Sequence, residues 1–148
     1  MKSHPYLRAY MAGTTVPNVV IVMLVTVVSI ARFVWKLPYP IEQIVIFPIA
    51  AAPNLFGIWN IVYVALRPER RLPIGVHGAL LPFIIGPFVL TMGTLLGLVS
   101  FTSNEMVWFD SVRLPYAIGV TFIPIAVAAY YLIWKHIVGF LNAVLGVA

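Results

Sequence analysis

All thirteen charged residues of the chain fall into short groups, at Lys2 and Arg8, Arg32 to Glu42, Arg67 to Arg71, Glu105 to Arg113, and Lys135. Between them lie four uncharged intervals, Ala9 to Ala31, Gln43 to Leu66, Leu72 to Asn104 and Leu114 to Trp134, of 23, 24, 33 and 21 residues. A helix rises about 1.5 Å per residue, so about 20 apolar residues cross a hydrocarbon core about 30 Å thick. Each interval holds one crossing, and the longest is too short for two. The pattern predicts an all-α integral membrane protein with four transmembrane helices in an up-down bundle. The spans are expected at about 15–34, 41–66, 76–101 and 115–135, followed by an apolar C-terminal tail at 136–148, all in one domain of residues 1–148.

With 62% hydrophobic and 9% charged residues, the bilayer must be the solvent, and the short segments between spans leave no room for a separate soluble domain. The net charge of +5 does not point to nucleic acid, because the nine Lys and Arg residues are spread among loops and form no single stripe. They fit membrane orientation instead. With the N-terminus inside, Lys2, Arg8, Arg67, Arg70, Arg71 and Lys135 share that face, against Arg32, Lys36 and Arg113 outside. The positive-inside rule then places both termini in the cytoplasm of a bacterial-type inner membrane. Residues 1–31 imitate a signal peptide, but are expected to stay as a span that also directs insertion. The absence of cysteine excludes disulfides, thiolate metal sites and cysteine nucleophiles.

A weak internal repeat pairs Lys36-Leu37-Pro38-Tyr39 with Arg113-Leu114-Pro115-Tyr116. It is either a duplicated helical hairpin or a common way to start a span at an interface. In the third span Ala79, Gly86, Gly93 and Ser100 recur every seven residues, with Gly97 adding a Gly93-x-x-x-Gly97 step. Small residues at that spacing predict a helix-packing stripe, within the chain or between protomers. Pro17, Pro48, Pro53, Pro82, Pro87 and Pro124 lie in or near spans. Each frees a carbonyl, either as a tolerated kink or as a ligand for a polar solute. Asn18, Asn54 and Asn60 are the intramembrane polar candidates; they are expected to turn inward, with Asn18 and Asn60 close enough to pair and Asn54 best placed to meet a solute.

No Asp, Glu, Lys or Arg lies deep in a span, which argues against a proton-coupled exporter with a buried carboxylate. His4, His77 and His136 fall on the inner face, but in three segments with no i, i+4 pair, so they are expected as wet interfacial residues and no metal or cofactor is implied. No catalytic triad or phosphate loop is present. The sequence points to a noncatalytic membrane module, a small subunit of a complex or a homo-oligomer, whose partners are the lipid bilayer and other membrane subunits or copies of itself. The alternatives are a small channel or facilitator for an uncharged solute or ion, and a haem-linked electron carrier. The tail beyond Lys135 lacks the charged face of a surface helix and is expected to pack against protein.

Overall fold

The computed structural model describes residues 4–36, 41–66, 72–110 and 112–147, and within 41–50 the backbone alone. Leu37 to Tyr39 of the first repeat copy, the Arg67 to Arg71 turn and the side chains around Pro48 lie outside the described residues. Helix α1 runs from Pro5 to Phe33 and α2 from Ile41 to Leu66. Pro5 occupies the first turn of α1, where its fixed φ suits a helix and its missing N–H costs nothing. The two helices form an antiparallel hairpin: Gly13 lies against Phe56, Gly57 and Asn60, while Tyr10 lies against Gly57.

The next helical stretch, Ile74 to Leu95, is broken into α3 (Ile74–Ala79) and α4 (Pro82–Leu95). Pro82 explains the break. It has no N–H to offer, and the chain tightens before it, with Leu81 N donating to Gly78 O (3.0 Å) and Leu80 N to His77 O (3.3 Å). At its far end α4 stops on Gly97, which takes φ +69°. Leu98 N donates to Gly93 O (2.7 Å) and Gly97 N to Thr94 O (3.0 Å), the paired bonds of a Schellman stop.

The chain then folds into an antiparallel meander of β1 (Val99–Phe101), β2 (Glu105–Trp108) and β3 (Val112–Pro115), with Phe101 opposite Met106 and Trp108 opposite Val112. Phe109 and Asp110 turn the β2–β3 corner at positive φ, a conformation that costs a non-glycine residue about 1–2 kcal/mol. The expected all-α chain is thus corrected to a mainly helical one with a small sheet, and the third helix ends at Leu95, short of Phe101. Val99 and Phe101 flank Ser100, and Val112 and Leu114 flank Arg113, the alternation of a half-buried strand, while Met106, Val107 and Trp108 run together; their apolarity imitates the end of a span.

Helix α5 (Tyr116–Leu132) continues through a π-helical segment (Ile133–Val138) into α6 (Gly139–Val144). The expected boundary at Lys135 is therefore no helix end. The whole stretch stops on a second Schellman turn at Gly146 (φ +65°), with Val147 N bonded to Asn142 O (2.9 Å) and Gly146 N to Ala143 O (3.1 Å). Among the described residues three helices, Pro5–Phe33, Ile74–Leu95 and Tyr116–Val144, are long and apolar enough to cross a membrane.

The start of α1, the end of α2, α3 and the π-helical segment with α6 meet at one end of the molecule, which holds both described termini. The meander caps the other. A core of Phe56, Leu81, Trp134 and Val138 sits at the termini end.

Candidate functional site

Small residues build the termini end by letting backbones and rings approach. An added Cβ at Gly13 would stand 2.5 Å from Phe56 O, and one at Gly57 2.5 Å from the Tyr10 ring. On the other side of the core, a Cβ at Gly75 would stand 2.8 Å from the Tyr131 ring, and one at Gly78 would overlap the Trp134 indole. Trp134 is fully buried, and its indole N–H finds no acceptor among the described residues, so the ring is held by shape.

Polar groups then fasten these contacts. Asn60, fully buried, donates from Nδ2 to Ala9 O (2.7 Å) and to Asn142 Oδ1 (2.8 Å), and Asn142 Nδ2 returns a bond to Asn60 Oδ1 (3.0 Å). This reciprocal amide pair satisfies both side chains away from water and ties α6 to α1 and α2. Arg8 Nη1 adds a bond to Leu145 O (2.8 Å), a cation on the carbonyl end of the last helix. The apolar tail accordingly packs against the chain's own helices.

His77 is buried, not wet as expected: it stacks on Trp59 with ring centroids 4.5 Å apart, and Trp134 meets its edge at 5.7 Å. Two side chain to backbone bonds cross between α2 and α3. Trp59 Nε1 donates to His77 O (2.9 Å), and His77 Nε2 donates to Trp59 O (3.0 Å). The carbonyl that Pro82 leaves without its helical donor, Gly78 O, is taken by Leu81 N (3.0 Å), and His77 O accepts both Leu80 N (3.3 Å) and the Trp59 indole N–H. His4 and His136 are exposed. Among the described residues no group of three or more metal-ligating side chains comes together.

The asparagines divide. Asn60 pairs with Asn142 and not with Asn18, and Asn54 accepts a hydrogen bond from the Tyr10 hydroxyl. Asn18 faces outward on α1, among exposed Val19, Val20, Val22 and Met23, and its amide has no partner among the described residues. The expectation of inward-facing amides thus fails at Asn18.

The seven-residue series fares differently at each position. Ala79 ends α3, Gly97 is the α4 stop, and Ser100 lies on β1, so the five residues share no helical face. Gly93 is buried, but by its own chain folding back: an added Cβ would stand 2.6 Å from Val99 Cγ2. A Cβ at Gly86 would meet nothing within 4 Å, and the same is true at Gly119 on α5. Both glycines line an apolar groove of about 580 Å³ between α4 and α5, bounded by Met106 and Tyr116 at the meander and by Tyr130 toward the core. The close-packed glycines carried their own signal, in Ala9-x-x-x-Gly13 and Gly75-x-x-x-Ala79. No protein family, curated protein or solved structure matches this chain.

Proposed function

We propose that the chain is a noncatalytic module of the inner membrane, four spans with both termini cytoplasmic, that works as one subunit of an assembly formed within the bilayer. The observation that carries this is Asn18. It lies 13 residues after Pro5 and 15 before Phe33, so about 20 Å of helix separate it from either end of α1. An amide at that depth, turned away from its own bundle, faces hydrocarbon alone unless another chain supplies a partner. The α2 helix supports the four-span count, with 26 residues and no charge from Gln43 to Leu66. The basic residues on the termini side support the orientation.

Association in a bilayer gains little from hydrophobicity, so one interhelical amide bond weighs heavily; such bonds contribute about 0.6–1.7 kcal/mol. Asn18→Leu should therefore weaken assembly roughly threefold to twentyfold, measured by light scattering across a detergent dilution series, while the thermal unfolding of the single chain holds. Unchanged assembly in Asn18→Leu would remove the main support for the module.

A further inference from the structure

The geometry points to the α4–α5 groove as a binding site for one long hydrocarbon chain, acyl or prenyl, whose polar end rests beside the meander. The groove exists because the two helical stretches are close at one end and apart at the other. Gly75 and Gly78 bring α3 against Tyr131 and Trp134. Beyond the Pro82 break α4 no longer follows α5, and Gly86 and Gly119 face empty space across the gap. Neither glycine is needed for a helix contact; both widen the groove.

Its shape and lining suit a hydrocarbon chain. The lining runs from Pro82 to Leu90 on α4 and from Tyr116 to Tyr130 on α5, roughly 12 and 21 Å at 1.5 Å per residue. Among the described residues none of the side chains that line it is charged or carries an amide, so a polar guest would find no partner along its length, whereas an apolar chain would. The volume also falls within the range of about 300–1,000 Å³ usual for small-molecule sites.

The walls set the orientation. Toward the core the groove is closed by Tyr130, whose ring packs on Phe56 (5.5 Å). At the other end Met106 and Tyr116 stand beside the polar turn, where the Tyr116 hydroxyl donates to Thr102 O (2.6 Å) and Arg113 pairs with Glu105 (3.3 Å). A single-chain amphiphile would lie with its tail toward Tyr130 and its head near the Thr102 to Glu105 turn. This site is independent of the assembly face on α1.

The full chain, reconstituted in phosphatidylcholine vesicles, tests it with photoactivatable probes of three kinds: a fatty acid, a prenyl alcohol and a phospholipid, each with a diazirine on the chain. One of the single-chain probes should label residues 82–90 and 116–130 in preference to the exposed 19–27 face of α1, and an excess of the same unlabelled amphiphile should suppress it. Gly86→Leu and Gly119→Leu, tested singly, fill open space and should leave melting unchanged. Each should lower groove labelling about tenfold, the factor for displacing two buried methylenes. Should one variant fold poorly, the other carries the test. Labelling spread evenly over all exposed faces, preferential labelling by the phospholipid alone, or chain-to-chain crosslinks from groove residues would each overturn the proposal.

Discussion

At the end that holds both termini, Gly13, Gly57, Gly75 and Gly78 each stand where an added Cβ would strike a backbone oxygen or an aromatic ring, whereas toward the meander Gly86 and Gly119 face open space. The same residue type serves opposite purposes within one chain. At the packed end it brings two elements together, and the contact is then fastened by the Asn60–Asn142 pair, by Arg8 on Leu145 O, and by the crossed bonds of Trp59 and His77. At the open end nothing large fills the gap, and the helices are joined through the meander. In a bilayer, where apolar burial between helices gains little over lipid, stability should concentrate where close contact and hydrogen bonding coincide. The packed end ought to carry most of the chain's resistance to unfolding, and the open end most of its capacity to bind.

The comparison can be broken first at Gly13. A leucine there must displace the Phe56 carbonyl region, which belongs to backbone and cannot swing aside. Gly13→Leu should destabilise by about 3 kcal/mol or more through overpacking, seen as a lower midpoint in thermal or denaturant unfolding in detergent. Next is Asn60→Leu, which leaves the buried Asn142 amide and Ala9 O without their partner. The cost should be about 1–3 kcal/mol. Adding Asn142→Leu should cost less than the sum of the two single changes, because the second change removes a group already orphaned. The smallest effect belongs to the meander, where Arg113 and Glu105 pair at 3.3 Å with Arg113 largely exposed. Glu105→Gln should shift stability by less than about 0.5 kcal/mol, and a larger loss would mean that the meander end is as firmly built as the packed one.

Charge placement made much of the helical outline legible. The charged groups bracket α1 at Arg32, α2 at Leu66 and the start of α5 beyond Arg113, and the observed helices begin or end within a few residues of these marks. What charge could not mark was an apolar stretch that changes structure without changing polarity. Val99 to Phe101 is as hydrophobic as a span, yet lies on a strand because Gly97 ends the helix first. The Leu96-Gly97-Leu98 and Leu145-Gly146-Val147 sequences mark both Schellman stops, a glycine followed by an apolar residue, and that signal competes with the helical spacing of the same glycines.

Partners at the site were less legible than positions. Spacing along one helix shows that Gly86 and Gly93 share a face, but not whether that face meets a helix, a returning strand or nothing, since this depends on the path of the chain after Pro82 and Gly97. Asn60 was identifiable as a polar group needing a partner. Its actual partner, Asn142, lies beyond the basic residues that suggested the end of the last span, so the pairing could be found only once α6 was seen to continue α5.

The most direct test sets Gly78 against Gly86, eight positions apart on the same helical stretch and alike in everything but their surroundings. Unfolding midpoints of Gly78→Leu and Gly86→Leu, measured side by side in the same detergent, read that difference alone. A side chain at position 78 must overlap Trp134, which is fully buried, whereas one at position 86 enters open space. The account predicts a loss of about 3 kcal/mol or more for Gly78→Leu and a change within about 0.5 kcal/mol for Gly86→Leu. Equal losses in the two variants, or a greater loss at Gly86, would contradict it.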